Sequence, residues 1–275
     1  AWSSAASDVY KRQVMPRIAF SFPISKEEGR EALFFAHYDI LTQRPQSRSE
    51  ATPYDYYFLQ ELSTDGVLDN PNLKPEKTID YQIGFQQALS DNSVLKISAF
   101  YKELRDMVQV INVPFAYPVR YNTFGNVDFG TVKGFTVSFD IARRIKNIKM
   151  STSYTMQFAE GTGSSSTSQL GLIGAGQPNL RTIIPFSYDS RHAFKVNIDY
   201  RFAEGADYTG PIWFGKEFFA NMGANLQLSA RSGEPYSKQS NPRPEAQFGV
   251  QGRSTLEGAI NGSRLPWHFK AAVSY

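Results

Sequence analysis

The feature that most constrains this chain is a strict period-two alternation of apolar and polar residues on both arms of a polar turn, residues 90–93. The apolar positions are Ile79, Tyr81, Ile83 and Phe85 before the turn and Leu95, Ile97, Ala99 and Tyr101 after it. Side chains at every second position share one face of a β-strand, whereas a helix requires apolar spacings of three and four. The pattern therefore predicts a β-hairpin with one apolar and one polar face.

The same alternation recurs along the chain and predicts an all-β meander of about nine antiparallel strands. Its clearest instance places Phe194, Val196, Ile198 and Tyr200 opposite Lys195, Asn197, Asp199 and Arg201. Other predicted strands cover residues 16–24, 32–42, 119–143 and 265–275. Three glycines, Gly125, Gly130 and Gly134, predict a bulge in the strand 119–143.

The lengths of the connections between these strands predict which connections lie at the same end of the sheet. In a meander, the segments 43–75, 113–118, 160–189 and 232–264 all fall at one end. Outer-membrane barrels carry short turns on the periplasmic side and longer loops outside, so we place these four segments outside. Residues 161–169 are rich in Gly and Ser and hold almost no apolar anchor, so we expect this loop to be mobile and open to proteolysis.

Strand length separates a membrane barrel from a soluble sandwich. Sandwich strands usually run ~5–6 residues, whereas the alternation here persists over ten or more positions. The polar faces carry charged residues, and the sequence offers no helices to cover them. We therefore predict an antiparallel transmembrane β-barrel, in which the strands satisfy one another's backbone groups within hydrocarbon. No apolar run approaches the ~20 residues of a membrane helix.

Composition excludes several classes of function. The chain has no cysteine, which removes thiol catalysis and thiolate metal sites. Its three histidines, His37, His192 and His268, lie far apart in sequence, so we predict no metal site and no cofactor. A net charge of +3 is spread along the chain, so no nucleic-acid partner is expected.

One segment resembles a known family. Residues 73–85, LKPEKTIDYQIGF, are similar to the L-K-P-E-x-x-x-x-Y-E-x-G segment of TonB-dependent outer-membrane receptors, with Gln82 where the family usually has Glu. The resemblance continues at YNTFGN (121–126), KGF (133–135) and SRH (190–192) and covers roughly residues 14–275. It points to the C-terminal part of the barrel domain, as found in receptors of Bacteroidetes.

The resemblance implies a receptor of the cell outer membrane that imports a scarce nutrient and is not an enzyme. Its implied partners are outer-membrane lipid, an unidentified small nutrient, and TonB acting through a plug region that this chain lacks. Residues 1–13 resemble a non-native or disordered leader, so residues 14–275 are expected to form a partial barrel domain. Receptor barrels of this type close with about 22 strands. We therefore expect an open, curled sheet without pairing between residues 16–24 and 265–275, and the family pattern implies a further hairpin after residue 275.

Ligand contacts are expected at the tops of the long loops and on the upper inner wall. The candidate residues are Tyr117, Arg120, Tyr121, Arg231 and Tyr236. Aromatic faces and guanidinium groups suit sugars, peptides and anionic chelates alike, so these residues do not specify the substrate.

Two other functions remain open on the sequence alone. Residues 189–192, Asp-Ser-Arg-His, contain the residue types of a hydrolytic triad, as an outer-membrane barrel hydrolase would require. Neighbours on one strand point to opposite faces, and triad members usually come from separated segments, so we predict a strand start here and no catalytic residue. The remaining alternative is a soluble carbohydrate-binding β protein.

Overall fold

The structure is a computed structural model. It describes residues 15–25, 31–44, 67–68, 70, 72–116, 120–145, 147–205, 208, 210–213, 216–240 and 255–274. The expected leader, residues 1–13, lies outside this described part of the chain, and so does Tyr117. No helix in the described residues is long and apolar enough to cross a membrane.

The described chain is built almost entirely of strands. In order they are β1 (Arg17–Ser25), β2 (Ala32–Gln43), β3 (Val67–Leu68), β4 (Glu76–Ser90), β5 (Ser93–Val113), β6 (Tyr121–Ile145), β7 (Ile148–Gly161), β8 (Ile184–Pro185), β9 (His192–Arg201), β10 (Ile212–Trp213), β11 (Lys216–Glu217), β12 (Gly223–Arg231), β13 (Pro235–Tyr236), β14 (Ser263–Arg264) and β15 (His268–Ser274). A five-residue helix, α1 (Leu170–Gly174), lies between β7 and β8.

Nine long strands form one antiparallel sheet in the order β1-β2-β4-β5-β6-β7-β9-β12-β15, which confirms the predicted meander. The path ends at β1 and at β15, and the described residues contain no pairing between these two strands. The sheet is therefore open, as expected. Two short strands join it off the main path: β3 pairs in parallel with β6, and β8 pairs with β7. The sequence did not predict either of them.

The strand register aligns the apolar positions of neighbouring strands into one continuous face. Across β6, β7 and β9, for example, Val137 pairs with Tyr154 and Tyr154 with Phe194. We call this side the apolar face, and its large side chains stay open: Phe20 is 56% exposed and Ile83 55%. Exposed apolar area on this scale is unfavourable in water and suits contact with hydrocarbon.

The opposite side, the polar face, carries hydrogen-bonding and charged groups. Lys102 of β5 forms an ion pair with Asp80 of β4 at 2.7 Å. On the same face the Thr136 and Thr155 hydroxyls lie 3.0 Å apart across β6 and β7. Inward pairing of charges between adjacent strands is what a water-filled barrel interior requires.

The predicted irregularity lies opposite Gly130. The β5–β6 register shifts between Leu104 and Met107, and Asp106 in this bulge adopts a positive φ of 56°. The register shifts therefore fall within the predicted glycine cluster, at residues 126–130 of β6, while Gly125 and Gly134 at its two ends pair in regular register. A Cβ at Gly134 would lie 2.2 Å from the Met156 carbonyl oxygen, which shows that glycine is needed there for close strand approach.

The strand ends divide the connections into two groups. At one end, which we call the turn end, lie the short connections 91–92 and 146–147 and the medium connection 202–222. At the other, the loop end, lie the connections after β2, β5, β7 and β12. This grouping confirms the predicted alternation of connections.

Candidate functional site

The loop between β7 and β9, residues 162–191, folds onto the polar face at the loop end. Its Phe186 side chain is fully buried and lies over Gly130 and Gly161, where an added Cβ would come within 2.3 and 2.5 Å of the Phe186 ring. Both glycines belong to the polar face by alternation along β6 and β7. The two paired glycines, which lack a Cβ, therefore leave the space in which the Phe186 ring packs.

A buried amide connects the loop to the β5–β6 hairpin. The Gln109 side chain is fully buried, and its Nε2 donates to Asp128 Oδ2 at 2.9 Å and to Ser168 Oγ at 2.9 Å. The Asp128 carboxylate is 3% exposed and also accepts a hydrogen bond from Thr162 Oγ1 at 2.9 Å. A buried carboxylate needs such partners, because leaving it without them is strongly unfavourable. We call Gln109, Asp128, Thr162 and Ser168 the loop-end network.

A second buried amide continues this arrangement toward the middle of the loop. Gln169 Nε2 donates to the Thr162 carbonyl at 2.8 Å, and Gln169 Oε1 accepts from the Leu180 amide at 2.7 Å. The backbone joins in, because the Val110 amide donates to the Ser166 carbonyl at 2.9 Å. Asn179 Nδ2 donates to the Val110 carbonyl at 2.8 Å. Polar contacts thus hold both halves of the loop against β5.

These contacts overturn the reasoning that made residues 161–169 a mobile segment. That reasoning counted apolar anchors, which are indeed scarce there. Thr162 and Gln169 are instead 1% and 6% exposed, and their side-chain hydrogen bonds supply the anchoring. Local opening now requires breaking buried polar contacts.

A buried ion pair ties the last long loop to the same region. Arg264 Nη2 donates to Asp189 Oδ2, and Arg264 Nη1 donates to the Asp189 carbonyl at 2.8 Å. The Asp189 side chain is 2% exposed, and its Oδ1 accepts from the Ala159 amide at 3.1 Å. A bidentate guanidinium contact of this kind fixes geometry as well as supplying energy. The connection after β12 is therefore held to the end of β7.

The possible triad residues do not converge. Ser190 Oγ donates to the Ser232 carbonyl at 3.0 Å, whereas the Asp189 carboxylate is engaged by Arg264. His192 Nδ1 lies 2.9 Å from the Tyr154 hydroxyl, on the apolar face. A hydrolytic site needs its base hydrogen-bonded to the nucleophile and oriented by the acid. The segment is a strand start, as predicted.

The structure places four of the five predicted ligand residues at the loop end. Arg120 is exposed and directly precedes β6, and Tyr121 begins β6 opposite Val113. Arg231 ends β12, and Tyr236 lies in β13 with 39% of its side chain exposed. Strands β7 and β9 separate the first pair from the second in the sheet. Their role in binding stays a prediction.

Sequence reasoning missed the buried polar residues of the loop end. Gln109 is the one polar position in the run Met107–Ile111, and that interruption is the available signal. Nothing in the sequence indicates that its partners lie 19, 56 and 59 residues away.

One loop residue titrates abnormally. Burial raises the pKa of Tyr188, and the nearby carboxylate of Glu76 adds to the effect. The Tyr188 ring stacks on Phe186 at 5.1 Å between centroids, so it belongs to the same packed cluster. The neutral phenol is therefore the form that suits the folded loop.

The described residues of the loop end do not form a metal site. Among the residues that the structure describes, no group of three or more His, Cys, Asp or Glu side chains could hold a metal ion. The loop end offers amides, hydroxyls, guanidinium groups and aromatic rings.

Comparison with known proteins agrees with this architecture. The family model "TonB dependent receptor-like, beta-barrel" matches residues 42–255. The structure is similar to the outer membrane transporter YddB from Escherichia coli, with a TM-score of 0.51 and 11% sequence identity. That alignment covers 88% of this chain and 31% of YddB, and at such identity it concerns the fold alone. A search of curated proteins found no match.

These findings exclude the two alternative functions. The family comprises outer-membrane receptors and transporters rather than enzymes, so a barrel hydrolase is wrong. A soluble carbohydrate-binding protein is wrong as well, because the open apolar face spans a sheet of membrane-barrel type. The motif at residues 73–85 and the nine-stranded meander agree with the family match over residues 42–255: the chain belongs to the TonB-dependent receptors of the outer membrane, as part of their β-barrel domain.

Proposed function

We propose that the complete protein imports a scarce small nutrient across the outer membrane, captures it at the loop end, and draws energy from TonB through a plug region. The observation that carries this proposal is the packed loop end, where the connections after β7 and β12 contact each other and strand β5 of a receptor barrel. In outer-membrane barrels the long loops lie outside the cell, where a nutrient arrives.

The open sheet supports a further part of the proposal. Within the described residues, strands β1 and β15 each have one edge without a partner strand, and in lipid each unpaired backbone group costs several kcal/mol. We therefore assign residues 14–275 to a larger barrel domain whose remaining strands complete the closure.

The proposed ligand contacts are Arg120, Tyr121, Arg231 and Tyr236, together with Tyr117. The guanidinium group of Arg231 suits an anionic group, and the tyrosine rings suit sugar faces or aromatic chelates. The four of these residues that the structure describes, Arg120, Tyr121, Arg231 and Tyr236, lie at the loop end, which fits a role in capture rather than release.

Growth on limiting nutrients tests the import function. A strain lacking the gene is compared with one complemented by the full-length protein on iron chelates, cobalamin, oligosaccharides and peptides as the limiting supply. We expect a defect on one class, with the same defect in a strain without TonB. Equal growth of the deletion and complemented strains on every class would refute the proposal, and so would uptake that survives loss of TonB.

Two variants then test the ligand contacts once the nutrient class is known. Arg231→Ala should weaken binding by about tenfold or more, because a charged hydrogen bond contributes roughly 1.5–3 kcal/mol. The matched control is Arg201→Ala, which removes an exposed guanidinium on the same face at the turn end. Equal losses in the two variants would remove Arg231 from the site.

A further inference from the structure

The medium connection at the turn end carries an exposed apolar hairpin. Strands β10 and β11 pair Ile212 with Glu217 and Trp213 with Lys216. Ile212 is 64% exposed, Trp213 66% and Phe218 62%. By contrast, the turn between β4 and β5 at the same end consists of Asp91 and Asn92. A turn that only reverses the chain does not require large apolar side chains.

A continuous row of aromatic rings joins this hairpin to the apolar face of the sheet. Tyr200 belongs to that face, since it pairs with Ile148 and Ala224. Its ring contacts Phe202 at 5.0 Å between centroids, and Phe202 contacts Phe219 at 5.7 Å. Phe219 then meets Phe218 at 5.2 Å, and Phe218 meets Trp213 at 6.1 Å. The exposed hairpin thus extends the surface of the barrel that faces lipid.

Hydrogen bonds hold the connection in this arrangement. The Tyr208 hydroxyl donates to the Pro211 carbonyl at 2.9 Å and accepts from the Phe219 amide at 3.2 Å. The Gly205 amide donates to Glu217 Oε2 at 2.9 Å. The aromatic side is therefore presented by a fixed scaffold, with the charged groups of Lys216 and Glu217 beside it.

We propose that the β10–β11 hairpin is an interfacial anchor, with Trp213 and Phe218 inserted at the boundary between headgroups and acyl chains of the periplasmic leaflet. Aromatic rings favour this zone because one part of the ring can be apolar while the other is wet. Lysine suits the same depth, since its stem can lie on apolar surface while the ammonium group reaches water. The periplasmic position follows from the turn end.

Insertion into lipid explains the exposed hairpin better than contact with a protein partner does, because the hairpin is continuous with the apolar face of the barrel, which contacts lipid. It rests on the membrane barrel and does not depend on which nutrient is imported. Failure of the import experiments would leave it standing, and its own failure would leave the import proposal unchanged.

A site-specific fluorescent label tests the anchor. The chain contains no cysteine, so Trp213→Cys gives one attachment point within it. Any cysteine elsewhere in the full-length protein is first replaced by serine. The protein is labelled with NBD and reconstituted into vesicles of phosphatidylethanolamine and phosphatidylglycerol. The matched control is Asp91→Cys, an exposed position on a polar turn at the same end. Phe218→Cys serves as a second hairpin position if the first variant folds poorly.

Two quenchers distinguish lipid from water and from protein. We expect nitroxide-labelled lipid to quench the label at residue 213, and aqueous iodide to quench it at least about twofold less than at residue 91, since interfacial side chains lie ~5–10 Å deep. Equal iodide quenching at both positions would overturn the proposal. Protection from iodide without quenching by the lipid nitroxide would also overturn it, because the hairpin would then contact protein.

Discussion

Replacement of Gln109 by leucine should release the loop 162–191 from the β5–β6 hairpin without disturbing the sheet. Leucine fills much of the space of the amide side chain, so the change removes hydrogen bonds rather than opening a large cavity. It leaves Asp128 Oδ2 without the donor that now lies 2.9 Å away, in a site where Asp128 is 3% exposed. It also removes the donor to Ser168 Oγ and the acceptor for the Val110 amide at 3.1 Å.

The size of the effect follows from these contacts. A hydrogen bond to a charged group contributes about 1.5–3 kcal/mol, and a neutral one about 0.5–1.5 kcal/mol. The variant loses the neutral contact to Ser168, and the closed loop then buries the Asp128 carboxylate without its Gln109 donor. Together these effects should lower the free energy of local opening by about 3 kcal/mol. At about 1.4 kcal/mol per factor of ten, amide exchange in the loop should accelerate roughly a hundredfold.

Hydrogen exchange measured by mass spectrometry on the full-length protein reports this opening, because amides exchange through local unfolding. The informative peptides cover residues 162–170, where the Thr162 amide donates to the Phe129 carbonyl at 3.0 Å. The control is Gln227→Leu, the same chemical change at an exposed position of β12.

A second variant separates two effects of Gln109→Leu: the loss of its hydrogen bonds and the cost of leaving the buried Asp128 carboxylate without a donor. Asp128→Asn, added to the leucine variant, replaces the carboxylate by a neutral amide and should restore part of the protection. If Gln109→Leu changes exchange in residues 162–170 no more than Gln227→Leu does, the loop is held by other contacts and the reasoning fails.

Three further changes test other parts of the structure. Ile198→Arg should hinder insertion into the outer membrane far more than Asn197→Arg, because arginine at mid-bilayer costs about 2–4 kcal/mol on the lipid face; equal amounts of both variants in the membrane fraction would contradict the assignment of faces. Gly130→Ala should destabilise the loop end by about 1–3 kcal/mol, since its Cβ would lie 2.3 Å from the Phe186 ring, and Phe186→Leu should relieve part of the loss, as measured by thermal unfolding. Because burial raises the pKa of Tyr188, its contribution to loop stability should be complete below its ordinary pKa near ~10 and be lost as pH rises through the raised value; exchange of the loop that is equally protected before and after that rise would count against it.

The sequence predicted the sheet well because period-two alternation is a property of the strand itself. Strand β6, predicted at residues 119–143, runs over Tyr121–Ile145, and the alternation around Phe194 gave the correct faces of β9. A register slip of one residue would reverse every side chain, so a strand with two unlike faces specifies its own pairing.

The loop end could not be read in the same way. Its order depends on single side chains such as that of Gln109, which meets partners 56 and 59 residues away. Polar residues in a Gly- and Ser-rich sequence resemble an unanchored loop until the fold brings them to a buried surface. Parallel pairing of β3 with β6 through Val67 and Leu68 has the same cause, because two residues carry no periodic signal.

The position of the anchored loop bears on how a ligand could pass. Phe186 and Thr162 occupy the polar face, so this loop narrows the inner side of the barrel. Moving it would break the hydrogen bonds from Thr162 Oγ1 to Asp128 and from Gln109 Nε2 to Ser168 Oγ, and the buried Asp128 carboxylate would lose one of its donors. Arg120, by contrast, is exposed at the tip of the β5–β6 hairpin and can reorient without that loss. Under the proposed function, ligand capture by the tips is therefore separable from opening of the inner loop, and we predict that variants of the two regions change ligand affinity and transport rate independently.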